Sequence, residues 1–192
     1  MSYFAWAFLA MELGGLKMTA PQFSVFIAAS LDGFIAGPGG DLEFLKTVER
    51  EGEDYGYAKF FASVDALLMG RETYDKVITF ESWLYGDKPT FVATRRPATS
   101  RHSERFVSGT PSELSQILAA ANHRHVYVDG GNLIRQFLEA GLVSELTLSI
   151  IPVLLGSGIP LFSAGAPTRG LDLEGSESFS SGLVQLRYRV RQ

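Results

Sequence analysis

The sequence predicts a single α/β domain with a largely parallel sheet that carries helices on both faces. Short apolar runs typical of buried strands alternate with helical patterns through the middle of the chain. Two of these strands, at residues 66–69 and 126–128, lead almost directly into glycine and a helix start. A chain of 192 residues has the length of one domain, and it buries roughly 70% of its unfolded surface without a disulfide or metal.

The first half of the chain supplies three strands and two helices. Residues 23–29 form a short apolar strand, and a helix is predicted over 55–63 because Tyr57, Phe60 and Phe61 share one face. The next elements are a strand, a helix and a strand at residues 66–69, 71–77 and 90–94.

The second half begins with a helix over residues 112–121. Its start has Thr110 at the N-cap, Pro111 at the first helical position and Glu113 two residues later, which is a capping-box pattern. A strand and a helix follow at residues 126–128 and 133–138.

The C-terminal part changes character. A long apolar run covers residues 146–155, a glycine-rich turn follows, and residues 183–190 alternate strictly between polar and apolar side chains. Period two indicates a strand with one face in water. Two late strands without a long helix between them predict antiparallel pairing at one edge of the sheet.

Composition excludes several classes of function. Lys and Arg number 17 against 21 Asp and Glu, and the net charge of -4 argues against general affinity for nucleic acid or anionic membranes. The chain has no cysteine, which excludes disulfides and thiolate chemistry, and the cytoplasm is the expected compartment. Its three histidines have no carboxylate at ligand spacing, so no metal site is predicted.

The N-terminal residues 1–17 are expected to be an extension outside the domain, which then covers residues 18–192. The apolar run at residues 4–11 is only about half as long as a membrane-spanning helix. The basic segment that precedes the apolar core of a signal peptide is missing. Met18 directly precedes the first convincing strand.

Two strand-to-helix junctions predict anion binding. Gly70 and Arg71 follow the strand at 66–69, and a run of Asp, Gly, Gly and Asn follows the strand at 126–128. Unpaired N–H groups at a helix start carry partial positive charge, and glycine lets a phosphate approach them closely. A pair of such junctions suits a ligand with several phosphates, so a nucleotide cofactor is expected.

Several motifs in the same order resemble the dihydrofolate reductase superfamily. The similarity is to its branch named after the C-terminal reductase domain of the bifunctional riboflavin-biosynthesis deaminase-reductase. The motifs are FIAASLDGFIA at 26–36, DLEFL at 41–45, MGRETY at 69–74, DGG at 129–131 and PVLLGSGIPLF at 152–162. The resemblance implies a three-layer α-β-α fold with a mixed, mostly parallel sheet, NADPH as cofactor, a small-molecule substrate and a homodimer.

The resemblance also implies a cofactor site. Ala28 and Ala29 would line the nicotinamide pocket; Gly70, Arg71 and Thr73 would hold the adenosine 2′-phosphate and pyrophosphate; Thr94 and Arg95 would add contacts to the adenosine phosphate; and Gly130, Gly131, Asn132 and Leu133 would cap the pyrophosphate. Arg71 is the main candidate, because its fork of donors suits a phosphate dianion and that contact separates NADPH from NADH.

Three carboxylates are candidates for the catalytic acid, and each has a structural alternative. Asp32 could orient a substrate amine or relay a proton, or it could cap the turn before Gly33. Glu49 stands where the folate enzymes place their acid, but a solvated run of charges surrounds it. Asp54 is expected at a helix start, where N-capping is the alternative.

The predicted function is a stand-alone NADPH-dependent reductase that transfers hydride to a C=N or C=O group of a small pterin-, pyrimidine- or sugar-derived substrate. At the position of Phe26 the riboflavin reductases usually have a lysine, and at the position of Arg71 they normally have no arginine. These two differences argue against the phosphoribosyl-aminopyrimidine as the substrate of this chain. Two alternatives remain: the 5-amino-6-(5-phosphoribosylamino)uracil reductase of riboflavin biosynthesis, and a non-catalytic nucleotide- or pterin-binding module.

Overall fold

The computed structural model describes residues 20–96, 98–162 and 164–191, so the proposed extension at residues 1–17 lies outside the described residues. The strands are β1 Gln22–Ser30, β2 Phe34–Ala36, β3 Ala66–Gly70, β4 Thr90–Ala93, β5 Arg105–Val107, β6 His125–Asp129, β7 Val143–Ile151, β8 Ile159–Pro160, β9 Leu171–Ser178 and β10 Val184–Val190. The α-helices are α1 Tyr57–Ser63, α2 Arg71–Val77, α3 Pro111–Ala120 and α4 Gly131–Glu139, and 3₁₀ turns cover Pro38–Gly40 and Glu43–Val48.

Eight strands form one mixed sheet in the order β5-β4-β3-β6-β1-β7-β10-β9. The pairs from β5 to β7 are parallel, whereas β10 pairs antiparallel with both β7 and β9. Strands β2 and β8 form a separate two-stranded ribbon. The predicted α/β fold with an antiparallel C-terminal edge is therefore confirmed.

Alternating strand residues build a core on each face of the sheet. On one face, Phe23, Leu68 and Val128 are fully buried in the cluster that includes residues of α3 and α4. On the other face, Leu67 and Tyr127 pack with residues of α1 and α2. Burying one such large apolar side chain contributes about 1.5–3 kcal/mol, so these layers hold the strand ends in fixed relative positions.

Local signals explain where several elements begin and end. Thr110 accepts a hydrogen bond from the backbone N–H of Glu113, and the Glu113 side chain returns the bond, so the predicted capping box of α3 is present. Helix α1 begins at Tyr57, two residues later than predicted, because Tyr55 and Gly56 both have positive φ. Strand β7 ends at Ile151, before Pro152, and does not continue to residue 155.

Four strands were not predicted from the sequence. Strands β2, β5 and β8 are short, and β9 is longer but largely polar. Their pairing with distant segments defines them, because none has a strong period-two pattern of its own. Among the described residues, no helix is long and apolar enough to cross a membrane.

Candidate functional site

A cleft of about 1400 Å³ lies at the C-terminal ends of β1, β3, β4 and β6. Parallel strands bring these ends to one edge of the sheet, and the helices that follow β3 and β6 start there. In open α/β sheets this edge is the usual place for a ligand, because helix N-termini and loop residues converge on it.

The β3–α2 junction forms a basic wall of the cleft. Gly70 is extended and α2 starts at the next residue, Arg71, so the chain turns from strand to helix without a loop. The Arg71 Nε donates to Asp75 Oδ1 at 2.7 Å, which holds its guanidinium against the helix. Arg96, which also lines the cleft, lies 3.5 Å from the other oxygen of Asp75. The wall therefore presents several guanidinium groups to a ligand.

At the two glycines of the β6–α4 junction, a side chain would have to displace a neighbouring side chain. Gly130 has a φ of 96°, and a Cβ placed on it would lie 2.3 Å from the Thr73 Oγ1. A Cβ on Gly131 would lie 2.3 Å from the Ile35 Cδ1. The backbone at the start of α4 thus comes close to both α2 and β2. The first N–H groups of a helix have no partner within the helix, so this junction can hold an anion through its backbone.

Asp129 lies half-buried in the cleft at the end of β6, and sequence reasoning did not nominate it. Its Oδ1 accepts the Gly130 N–H at 2.8 Å, and its Oδ2 lies 3.5 Å from the Tyr85 hydroxyl. Burial raises the pKa of Asp129 to about 6, although the bonds from Gly130, Tyr85 and Tyr127 act to lower it. The other acidic residue lining the cleft, Glu72, is exposed.

Three tyrosines surround this carboxyl. Burial raises the pKa of Tyr57 to about 12, with the nearby Asp129 as the second cause, and the pKa values of Tyr85 and Tyr127 are raised for the same reasons. All three therefore stay protonated at neutral pH. The Tyr127 hydroxyl donates to the Phe26 carbonyl at 3.0 Å, which links β6 to β1 under the cleft. The only sequence signal for Asp129 was its place before the glycine pair.

The structure brings together all of the nominated cofactor residues except one. Those lining the cleft are Ala28, Gly70, Arg71, Thr73, Thr94, Arg95, Gly130, Gly131, Asn132 and Leu133. Ala29 is 2% exposed and belongs to the core, because the next residue of a strand points to the opposite face. Whether these residues bind a cofactor stays a prediction.

The three nominated carboxylates do not line the cleft. Asp32 accepts from Ser30 and from the backbone of residues 155 and 156. Asp54 accepts the N–H groups of Gly56 and Ala58 ahead of and within α1, although the N-cap residue of this helix is Gly56 and not Asp54. Glu49 is exposed at the end of a 3₁₀ turn. No cluster of three or more His, Asp or Glu side chains suited to a metal occurs among the described residues.

Comparison with known proteins agrees with this architecture. A family model described as the RibD C-terminal domain matches residues 75–185. The uncharacterized protein YwjB of Bacillus subtilis is 34% identical over 168 residues, which cover 85% of this chain and 95% of that protein.

Two solved structures are also similar. A riboflavin biosynthesis protein from Shewanella sp. PV-4 has a TM-score of 0.83 and 33% identity, and the match covers 91% of this chain and all of that one. A pyrimidine reductase-like protein from Corynebacterium diphtheriae has a TM-score of 0.69 at 17% identity, over 90% of this chain and 92% of that one. At that identity the second likeness concerns the fold alone.

Proposed function

The chain belongs to the RibD C-terminal domain family, and from that membership we propose that it is a reductase that transfers hydride from NADPH to a small pterin-, pyrimidine- or sugar-derived substrate. The reduced group is a C=N or a C=O. One observation carries the proposal: a single cleft combines basic side chains, two glycine-marked helix starts and a half-buried acid.

The residues of the cleft fit a dinucleotide phosphate. Arg71 and Arg95 supply cationic donors at the ends of β3 and β4, and Thr73 lies against Gly130 where the two junctions meet. Gly130 and Gly131 let the start of α4 pack directly against Thr73 and Ile35, because a Cβ at either position would collide with these side chains. NADPH supplies the hydride when it is bound, and the protein binds and orients it.

Asp129 is the proposed proton donor. A general acid works best when its pKa is near the working pH, and burial raises the pKa of Asp129 to about 6. The Gly130 N–H binds its Oδ1 at 2.8 Å, whereas the Tyr85 hydroxyl lies 3.5 Å from Oδ2, so Oδ2 is the oxygen proposed to hold the proton that the substrate receives. Asp32, Glu49 and Asp54 stay candidates only by sequence, because none lines the cleft.

The second candidate is the 5-amino-6-(5-phosphoribosylamino)uracil reductase activity of riboflavin biosynthesis. The names of the Shewanella and other structural neighbours favour it. Phe26 lines the cleft at the position where the riboflavin reductases usually have a lysine. The cleft therefore has no cation at this position to bind the phosphate of a phosphorylated substrate. This apolar wall favours an unphosphorylated ring.

Titration of the purified protein with NADPH and NADH tests the cofactor, by fluorescence or calorimetry. We expect tighter binding of NADPH, followed by turnover on a panel of pterins, aminopyrimidines and the phosphoribosyl aminopyrimidine. Turnover on the last compound alone would select the riboflavin reductase. Binding without turnover on any of them would select the non-catalytic module, and no binding of either nucleotide would refute the proposal.

A second copy of the chain is the proposed partner, and the cytoplasm the proposed compartment. Leu171, Leu173 and Val184 on β9 and β10 are 41%, 58% and 37% exposed, on the part of the sheet beyond α4. Covering this face in a homodimer would remove apolar area from water. A dimer by light scattering that dissociates in Leu173→Glu supports this pairing, and a monomeric wild-type protein at micromolar concentration contradicts it.

A further inference from the structure

The two-stranded ribbon covers one side of the cleft. Phe34 pairs with Pro160 and Ala36 with Ile159. We call the ribbon and its glycine-rich extension, residues 33–40 and 157–160, the flap. Ile35, Gly39 and Gly158 are among the flap residues that line the cleft. The Ile35 Cδ1 occupies the space beside Gly131 at the start of α4, so the flap touches the proposed phosphate site directly.

One carboxylate, that of Asp32, contacts both chain segments that lead into the flap. We call these segments, residues 30–32 and 155–156, the stems. Asp32 Oδ1 accepts the Ser30 hydroxyl at 2.6 Å and the Leu155 N–H at 3.1 Å, and its Oδ2 accepts the Gly156 N–H at 2.7 Å. The Ser30 Oγ in turn accepts the Phe34 N–H at 2.9 Å. The Asp32 side chain therefore connects the turn before β2 to the segment before β8, although more than a hundred residues of sequence separate them.

We propose that Asp32 is a positioning residue that fixes the flap over the cofactor cleft. Both of its carboxylate oxygens accept hydrogen bonds from groups of the two stems. Asp32 therefore acts through the flap and not directly on the substrate. The inference deepens the proposed reductase function and rests on it. Hydrogen bonds to an ionised carboxylate are roughly twice as strong as neutral ones, which suits a clamp made of three donors.

The clamp needs a carboxylate and not merely a polar side chain. All three partners of Asp32 donate, and an ionised carboxylate accepts at both oxygens. The pKa of Asp32 is lowered, with the Ser30 hydroxyl as the largest cause, which agrees with an ionised clamp. Asn at this position would turn an NH₂ group towards at least one donor. Asp32→Asn therefore changes the clamp with almost no change in volume.

The matched control is Asp65→Asn. Asp65 is also exposed and accepts two backbone N–H groups, from Arg124 at 2.8 Å and His125 at 3.3 Å. It lies before β3 and beside the start of β6, at the end of the sheet opposite the cleft. The two substitutions remove similar bonds, but only one of them concerns the flap.

The experiment compares hydrogen–deuterium exchange and steady-state kinetics of wild type, Asp32→Asn and Asp65→Asn. For Asp32→Asn we expect faster exchange in the peptides covering residues 33–40 and 153–160, and a roughly 10- to 100-fold lower kcat/KM for NADPH. Asp65→Asn should leave both unchanged. Ser30→Ala, which removes the hydroxyl between Asp32 and Phe34, should change the same peptides if Asp32→Asn does not fold.

The outcomes separate the clamp from the reductase function. Unchanged flap exchange in a folded Asp32→Asn protein overturns the inference, as does faster exchange with wild-type kinetics. A wild-type protein that binds no NADPH refutes the proposed function, and with it the positioning role; exchange in the free protein then still shows whether the clamp orders the flap. Faster exchange together with the kinetic loss, both absent from Asp65→Asn, supports the inference.

Discussion

The Tyr85 hydroxyl lies 3.5 Å from Oδ2 of Asp129, at the bottom of a cleft that also contains the basic wall of α2. Tyr85 belongs to the loop after α2, and Asp129 ends β6, so the fold alone brings them together. This contact is one of the causes that lower the pKa of Asp129, against the larger effect of burial. The pKa of Asp129 is therefore set by burial together with the hydrogen bonds from its neighbours.

The first prediction concerns the pH dependence of turnover. If protonated Asp129 donates the proton, kcat/KM should fall as pH rises through about 6. Asp129→Asn should lower kcat by roughly 10²- to 10⁴-fold and abolish this dependence. Tyr85→Phe removes a bond that lowers the pKa of Asp129, so its profile should move to higher pH. A wild-type profile retained by Asp129→Asn would exclude this residue as the acid.

Asp129→Asn, which should lower turnover, is expected to raise the stability of the fold at neutral pH. The pKa of Asp129 is raised in the folded protein from its ordinary value of 3.8 to about 6, so its contribution to stability is present below pH 3.8 and is lost as pH rises through 6. Asp129→Asn removes that loss and should raise the free energy of unfolding at pH 7.5 by about 1–3 kcal/mol. Urea unfolding at pH 4 and pH 7.5 measures this, and equal effects at both pH values would argue against it.

Arg71 is expected to distinguish the two nicotinamide cofactors. Arg71→Ala should weaken NADPH binding by roughly 1–3 kcal/mol and NADH binding much less, because only NADPH carries the 2′-phosphate. Calorimetric titration with each nucleotide measures the difference. Arg187→Ala on the distant strand β10 serves as a control for the loss of one positive charge. Equal losses for both nucleotides would remove Arg71 from the 2′-phosphate site.

The contact between Gly131 and Ile35 can be tested by a double substitution. A Cβ at Gly131 would lie 2.3 Å from the Ile35 Cδ1, so Gly131→Ala should destabilise the fold by roughly 1–3 kcal/mol through overpacking. Ile35→Val removes that Cδ1 and should restore most of the loss. Denaturant unfolding of the four proteins gives the coupling energy. Additive effects would mean that the flap does not pack on α4 in solution.

Glu104 is predicted to hold the loop after β4 in a pH-dependent manner. Burial alone would raise its pKa, but donors from Tyr74, Arg101 and His102 bring the pKa down from 4.5 to about 2. Its stabilising effect is therefore present above pH 4.5 and is lost as pH falls towards 2. Glu104→Gln should cost roughly 1–3 kcal/mol at pH 7 and less at pH 2.5, measured by thermal unfolding. A constant cost across this range would contradict the assignment.

Much of the fold could be read from local sequence signals. The capping box at Thr110, the abrupt start of α2 at Arg71 and the alternation in β10 each depend on neighbours a few residues away. The same holds for the glycine-marked junctions, and residues of both line the cleft; anion binding there stays a prediction. Strand β9 escaped prediction because its pattern is weak and its pairing with β10 defines it.

The sequence by itself determined the α/β class, the order of the main elements and the residues around the cleft, because propensity, periodicity and capping act over a few positions. The tertiary structure decided which carboxylate enters the cleft. Asp32 meets the backbone of residues 155 and 156, and Asp129 lies half-buried near tyrosines from three segments. Such burial and pairing depend on contacts between distant parts of the chain, which set the pKa and the partners of a side chain.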